Sequence, residues 1–203
     1  MKVSLKLDAD DQENDRSVMI YWKQFKSLVF HKWHVLKAGL MIGNIPLWRL
    51  IIHDWSKFTP VEFVNYARFK YGRKDTAGWA RAWLHHLHHN PHHPEHWILS
   101  WRGNPDFYNS IGKGIAPFIT MLSMPETYAR EMVADMMATS KEVTGSYDIA
   151  VWLNENGPKM RLHDGTIARL GKAMVDAGYY FTDNSPWSYM AGNKFKWWNL
   201  EVK

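Results

Sequence analysis

The 203-residue sequence contains no cysteine, which excludes disulfide bridges and thiolate metal ligands. It has no apolar run near the ~20 residues that a membrane-spanning helix needs. Its beginning, MKVSLKLDADDQENDR, is polar and acidic where a signal peptide would carry an apolar core. These absences predict a cytoplasmic protein with no membrane partner.

The composition is that of an ordinary globular protein, because 46% of the residues are hydrophobic and 22% are charged. The length is sufficient for one domain with a hydrophobic core. The formal net charge of +5 permits an anionic substrate such as a phosphate and does not require nucleic acid. We therefore expect a small-molecule partner rather than nucleic acid.

Prolines, glycines and capping residues divide the sequence into helices. Thr59, Pro60 and Glu62 predict an N-cap, a first-turn proline and a capping-box acid, and Asn90-Pro91 predicts a helix end. The second helix is expected to begin at Pro46 and to run through His53 and Asp54. We predict seven helices, at about 17–43, 46–54, 60–72, 76–90, from 125 through 135, 147–156 and 165–177.

These helices predict a single compact all-α domain at residues 17–178. A short arm at 1–16, with a strand at Val3 to Leu7, precedes it, and an aromatic tail at 179–203 is expected to pack on it. The irregular segment at 98–118 is either a lid over a site or plain loop.

Histidines and aspartates that could bind metal recur along the predicted helices. Neutral imidazole and carboxylate together suit divalent transition ions and leave coordination positions open for water and substrate. Asp54 follows Leu47, Leu50 and Ile51 at helical intervals, which predicts a carboxylate on the apolar side of its helix. A buried carboxylate must pair, protonate or bind metal. Any one of these residues could instead be a hydrogen-bonded polar group of the core. The full set of candidate metal ligands is His31, His53, Asp54, His86, His92 or His93, and Asp135.

The region 85–96 contains seven histidines, and spacing selects among them. His86 follows Trp79 and Trp83 by seven and three residues, which predicts an inward position, whereas His85, His88, His89 and His96 are expected at the surface or on the substrate side. The spacing does not separate His92 from His93. His34, one turn beyond His31, is a possible substitute ligand. Asp135 falls on a stripe with Tyr128 and Met132, which predicts that it is buried too.

At these residues the chain resembles the HD superfamily of metal-dependent phosphohydrolases. The family signature, a histidine, a later His-Asp pair and a distant aspartate, matches His31, His53-Asp54 and Asp135. The segment HDWSKF at 53–58 is similar to the HD-x-x-K form of HD phosphodiesterases. More narrowly, HDWSKFTPVEF, AWLHHLHHNPHHPEHW and MPETYAREMVAD are similar to an uncharacterised family of small phage and bacterial proteins, over about residues 30–175.

The resemblance implies an HD-type helical bundle that hydrolyses a phosphate ester, with a nucleotide as the expected substrate, through a metal-activated hydroxide. It implies two divalent ions (Mn, Fe, Co, Ni, Zn or Mg). One ion would be bound by His31, His53, Asp54 and Asp135; the other would be bound by His86, His92 or His93, and a shared oxygen of Asp54. Lys57 would contact the phosphate.

Two acidic residues and two other functions complete the sequence-based expectations. Glu62 is either a capping acid or a catalytic group, and Glu131 is placed one turn before Asp135 to support the ligands. The first alternative function is an HD-type di-iron oxygenase, which resembles this chain in fold and ligands. The second is a non-catalytic, metal-stabilised binding protein with the tail FKWWN at 195–199 docking a partner. The oligomeric state stays open.

Overall fold

The computed structural model describes residues 18–99, 120–157, 160–181 and 200–202 of the chain. Helices dominate these residues, so the predicted all-α class is confirmed. None of the helices in these residues has the length and apolar character that crossing a bilayer would require. The α-helices are α1 (Val18–Ile42), α2 (Leu47–Ile52), α3 (Pro60–Tyr71), α4 (Thr76–His89), α5 (Glu126–Thr144), α6 (Ala150–Asn156) and α7 (Asp164–Asp176), and single 3-10 turns span Trp55–Phe58 and Pro94–Trp97.

In the part of the chain that the structure describes, two small antiparallel sheets accompany the helices. Strand β1 (Ile98–Leu99) pairs with β2 (Thr120–Met121), and β3 (Tyr179–Phe181) pairs with β4 (Leu200–Val202). The sequence pattern missed these strands, because two or three residues are too few to show an alternation.

Several sequence expectations fall outside the described residues. These are the arm at 1–16 with its strand at Val3 to Leu7, residues 100–118 of the irregular segment 98–118 with its lid-or-loop alternative, and the FKWWN segment at 195–199. The division into arm, domain and tail therefore stays a prediction.

The helix ends agree with the capping residues except around the His-Asp pair. Thr59 is the N-cap of α3 and Gly72 its C-cap, and α4 ends at His89, just before Asn90-Pro91. The expectation that the second helix runs through His53 and Asp54 is wrong, because α2 ends at Ile52.

Asp54 has left-handed backbone angles (φ 53°, ψ 25°), which a right-handed helix cannot include. Its carbonyl oxygen accepts a hydrogen bond from the Lys57 N–H at 2.9 Å, so the chain continues as the 3-10 turn Trp55–Phe58. The burial of Asp54 was predicted from a buried apolar row that includes Leu47 and Ile51. That row is not observed, because both of these residues are exposed. Asp54 is nevertheless 1% exposed, as expected.

The chain divides into two compact units. Of the described residues, unit 1 contains those up to Trp33 and Ile52–Asn90, and unit 2 contains His34–Ile51 and those from Pro91 onward. In unit 1, α3 packs against α4. A Cβ atom on Gly78 would lie 2.6 Å from Asn65 Oδ1, so this glycine allows the two helices to approach closely.

The interior of unit 1 is largely polar. Among the described residues of this unit, the buried apolar ones are few, namely Ile20, Leu28, Tyr66, Ala67 and Ala82. Burying polar groups is unfavourable unless they find partners, so a polar interior of this kind indicates function rather than packing alone. The buried polar residues of unit 1 are Gln24, His31, His53, Asp54, Ser56, Glu62, His86 and Asn90.

Unit 2 has a conventional apolar core, which α5 and α7 dominate. Met132, Val133, Met137, Leu170 and Met174 are among its buried residues. Burial of these side chains provides the hydrophobic stabilisation of unit 2.

Replacing Asp75 with alanine is expected to destabilise the protein by about 1 kcal/mol, because Asp75 is the N-cap of α4 and accepts a hydrogen bond from Gly78 N at 2.9 Å. That hydrogen bond lowers the pKa of Asp75 below its ordinary value of 3.8. The destabilisation should therefore be complete at neutral pH and shrink as the pH falls below that value. Chemical denaturation at several pH values measures it. Asp75→Asn, which keeps the acceptor, is the control and should lose little.

Candidate metal centre

Three histidines surround the buried carboxylate of Asp54 in unit 1. Its Oδ2 lies 3.8 Å from His31 Nε2 and 3.3 Å from His53 Nε2. Its Oδ1 lies 3.4 Å from His86 Nε2. The two carboxylate oxygens therefore face different histidines, and the elements that supply them are α1, the turn after α2, and α4.

The donor atoms around Asp54 are spaced as ligands of a metal ion would be. Imidazole and carboxylate ligands each lie ~2.0–2.2 Å from such an ion, so two neighbouring ligand atoms are roughly 3–3.5 Å apart. The nitrogen–oxygen distances of 3.3, 3.4 and 3.8 Å fall in or just above that range. They exceed the ~2.7–3.2 Å of an N–H···O hydrogen bond. These residues therefore could hold a divalent ion.

Lys57 provides a positive charge at the same carboxylate. Its Nζ lies 2.5 Å from Asp54 Oδ2, and its side chain is 21% exposed. In a 3-10 turn residues three apart lie over one another, which explains why Lys57 reaches back to Asp54. The Lys57 ammonium is thus partly open to solvent and adjacent to the candidate ligands.

Glu62 on α3 bridges two histidines of α4. It is fully buried; its Oε2 lies 2.9 Å from His86 Nδ1, and its Oε1 lies 2.7 Å from His85 Nδ1. The predicted capping box is wrong, because the Thr59 N–H donates to the Ser56 carbonyl oxygen at 2.9 Å. His85, which the sequence places at the surface or on the substrate side, has a side chain that is 26% exposed, and its Nδ1 faces Glu62.

The ionised state of Glu62 determines which nitrogen of His86 carries the proton. Burial opposes its ionisation, but hydrogen bonds from His86, His85 and Ser56 outweigh burial and lower the pKa of Glu62. An ionised carboxylate only accepts hydrogen bonds, so His86 Nδ1 donates its proton to Glu62. Nε2 of His86, the nitrogen that faces Asp54, then carries the free lone pair that a metal ligand needs.

Replacing Glu62 with glutamine is expected to weaken metal binding by about 10- to 100-fold, the usual effect of losing a carboxylate that orients a histidine ligand. The amide can also donate, so it no longer selects one tautomer of His86. Titration with Mn²⁺ or Zn²⁺, followed by calorimetry, measures the affinity. Glu142→Gln, at an exposed position of α5, is the matched control, and equal affinities in the two variants would contradict the role of Glu62.

Tyr66 places a neutral phenol beside these acids. Its ring packs edge-on against His86 with a centroid distance of 6.4 Å, and its buried hydroxyl has no hydrogen-bond partner among the described residues. Burial, with smaller contributions from the charges of Glu62 and Asp54, raises the pKa of Tyr66. The hydroxyl therefore stays protonated and available as a donor.

Unit 2 contains a second group of histidine and carboxylate side chains. His92 Nδ1 lies 3.4 Å from Glu131 Oε1, and His92 Nε2 lies 3.7 Å from Asp135 Oδ2. The other oxygen of Glu131 lies 2.5 Å from Arg49 Nε, and the Arg49 guanidinium lies over the Tyr128 ring at 4.7 Å. Glu131 is thus held in place by an arginine, as a group that orients His92 would be.

Burial distinguishes His92 from His93, which the sequence could not do. His92 is 1% exposed and lies near two carboxylates, whereas His93 is only partly buried. Their rings are nevertheless 4.3 Å apart, so His93 remains within reach of a shared ion. His34, the substitute for His31, instead shares a hydrogen bond of 2.7 Å with the Tyr147 hydroxyl.

Two expected burial positions need correction. Trp79 is 36% exposed, and the buried stripe of α4 is formed by Gly78, Ala82 and His86, because small residues face α3. The side chain of Asp135 is 17% exposed, compared with 1% for that of Asp54. Asp135 therefore does not share the full burial of Asp54.

The structure gathers the predicted ligands into a group in each unit. Unit 1 brings His31, His53 and His86 to Asp54, and unit 2 brings His92 to Asp135. The predicted assignment of these ligands to two ions stays a prediction. The sequence analysis missed Arg49 as a partner of Glu131; the only signal was a charged residue in the apolar segment Leu47–Ile52.

Comparisons with known proteins identify a family without a known activity. Neither the curated proteins nor the solved structures contain a significant match to the chain. A family model described as "Family of unknown function (DUF5662)" matches residues 20–175, so the chain belongs to this family.

Proposed function

We propose that this protein is an HD-type metal-dependent phosphohydrolase, with a nucleotide as its substrate. The observation that carries the proposal is the surroundings of Asp54. A carboxylate that is 1% exposed faces three imidazole nitrogens and one ammonium group. The order of these residues along the chain also matches the HD signature.

A purely structural role for this group is a poorer explanation of its composition. One lysine is sufficient to neutralise one buried carboxylate. The three imidazoles lie farther from the Asp54 carboxylate than hydrogen-bond partners do, so they add little to its stabilisation. They are nevertheless the kind of ligand that transition ions prefer. The Glu62–His86 hydrogen bond also supports a metal site, because a carboxylate commonly orients a ligating histidine in this way.

The two oxygens of Asp54 support two ions rather than one. His31 and His53 approach Oδ2, whereas His86 approaches Oδ1. Asp54 would thus be shared between two ions, with Asp135 and His92 or His93 as the further ligands that the sequence predicts. The ions would supply Lewis-acid stabilisation of phosphoryl oxygens and would lower the pKa of bound water to about 7.

The side chains of this protein would orient the ligands and hold the substrate. Glu62 keeps His86 in the tautomer whose Nε2 faces Asp54, and Arg49 holds Glu131 beside His92. Lys57, which is 21% exposed, would bind a non-bridging phosphoryl oxygen as a compact charge. This basic group is the feature that favours a phosphate substrate over an uncharged one.

Elemental analysis of the purified protein, followed by a nucleotide panel, tests the proposal. We expect about two transition ions per chain, the number used in two-metal phosphoester hydrolysis. Monophosphates, triphosphates and cyclic nucleotides would be assayed with Mn²⁺, Fe²⁺, Co²⁺, Ni²⁺, Zn²⁺ or Mg²⁺, and product release followed by chromatography. A protein that binds iron and consumes oxygen without hydrolysing phosphate would be an HD-type oxygenase instead, and a protein that binds no metal would contradict both enzymes.

A further inference from the structure

Helix α1 exposes a row of large apolar residues on unit 1. Five such residues recur at helical intervals along this helix, and each is at least 40% exposed. They are Val18 (80%), Trp22 (52%), Phe25 (40%), Val29 (47%) and Trp33 (52%). Ile20 and Leu28, between them in sequence, are buried. The helix is therefore apolar on its outer side as well as its inner side, which is unusual for a helix in contact with water.

The 3-10 turn after Asp54 extends this row. The rings of Phe25 and Phe58 are 6.4 Å apart, and those of Phe58 and Trp55 are 5.5 Å apart. Trp55 is 65% exposed. We use the term aromatic face for Val18, Trp22, Phe25, Val29, Trp33 and Trp55.

Among the described residues, lysines lie beside the aromatic face. The sequence contains no aspartate or glutamate from residue 16 to residue 53. Lys26 Nζ lies 5.7 Å from the centre of the Trp22 ring, and Lys32 Nζ lies 6.0 Å from that of Trp55. A second copy of the chain would bring like charges together on this face, so its charge complements an anionic partner.

We propose that the aromatic face binds the surface of a membrane that contains anionic lipids. Tryptophan favours the boundary between headgroups and acyl chains, and lysines beside an apolar face pair with anionic headgroups. Single-stranded nucleic acid would use the aromatic rings and lysines, but it would leave the exposed valines without a role. This binding is peripheral, so it differs from the expectation of no membrane partner, which rested on the lack of a spanning segment. It does not depend on the proposed hydrolysis.

Sedimentation of the full chain with lipid vesicles tests the proposal. Phosphatidylcholine vesicles would be compared with vesicles in which about 30% of the lipid is phosphatidylglycerol. The two lysines, Lys26 and Lys32, should increase binding to the second kind by about tenfold or more, and 0.5 M salt, about three times physiological strength, should remove most of the increase.

A matched pair of double variants separates this face from general surface effects. Val18→Glu with Val29→Glu should reduce vesicle binding at least tenfold, because it places charges in the apolar row. Val143→Glu with Val151→Glu makes the same change at residues that are 80% and 79% exposed elsewhere, and it should bind like wild type. Circular dichroism would check that both variants fold.

Three results would overturn the proposal. The first is no binding of wild type to phosphatidylglycerol vesicles, and the second is equal binding by both double variants. The third is a wild type that ignores vesicles but binds an oligothymidine strand, or forms dimers by light scattering, and loses that property only in the Val18→Glu, Val29→Glu variant. The third result would assign the face to nucleic acid or to a second copy.

Discussion

Replacing Asp54 with asparagine is expected to abolish both metal retention and hydrolysis. His31, His53 and His86 all face the carboxylate of Asp54. An ion bound by any of these histidines would therefore also depend on the negative charge of Asp54. Asparagine keeps the size of the side chain and tolerates the left-handed backbone at φ 53°. The substitution therefore removes the negative charge with little strain on the turn.

Two measurements check the Asp54 prediction. Elemental analysis should give a metal content near zero, and the melting temperature should no longer rise when Mn²⁺ is added. In wild type, an ion present at 100 times its Kd should stabilise the fold by about 2.7 kcal/mol. Full metal content and full activity in Asp54→Asn would show that the HD assignment is wrong.

Asp54→Ala is the companion variant. It should lose metal in the same way, but it also places a Cβ-bearing residue without a polar side chain in the left-handed region, at a cost of about 1–2 kcal/mol. Comparing the metal-free stabilities of the two variants separates the backbone effect from the loss of the ion.

Local chemistry explains which parts of the fold the sequence could predict. Thr59-Pro60, Gly72 and Asn90-Pro91 act through their own backbone preferences, so the ends of α3 and α4 were predictable. The end of α2 was not predictable, because the periodic row of apolar residues continues towards Asp54. No residue in that row indicates that Asp54 adopts left-handed backbone angles. Periodicity indicates a helix but not where its hydrogen bonding stops.

The candidate site was predictable in its residue types but not in its hydrogen bonds. His31, His53 and His86 do lie around Asp54, as the HD resemblance implied. The pairing of Glu62 with His85 spans 23 residues. Helical spacing describes one helix at a time, so it cannot identify a partner on another helix.

In the histidine-rich region 85–96, helical spacing also predicted burial only in part. Spacing placed His86 inward correctly but used Trp79 as a reference, although the side of α4 that packs on α3 is marked by Gly78 and Ala82. Large aromatic residues are not a safe guide to the buried side where two helices are close, because only small residues fit there. For His92 and His93, which lie on a turn, no periodic argument applies.

Replacing Lys57 with alanine is expected to lower turnover of a phosphate substrate by a factor of about 10² or more, as loss of one charge-stabilising donor in an active site does. Metal content should be kept, because Lys57 has no lone pair to offer when protonated. The Lys57–Asp54 ion pair at 2.5 Å gives Lys57 a second candidate role, that of a counter-ion for Asp54 in the metal-free protein. Removing a mere counter-ion would tighten metal binding and leave turnover at saturating metal unchanged.

Three variants assayed at saturating Mn²⁺ distinguish these two roles. Lys57→Ala should lose turnover, and Lys70→Ala, at an exposed position on α3, should behave like wild type. Lys57→Arg should recover only part of the activity, because a planar guanidinium on a longer stem replaces a compact ammonium. Equal turnover in wild type and Lys57→Ala on the best substrate of the panel would refute the phosphate-binding role. That result would favour the di-iron oxygenase, since such an enzyme has no phosphoryl oxygen for Lys57 to hold.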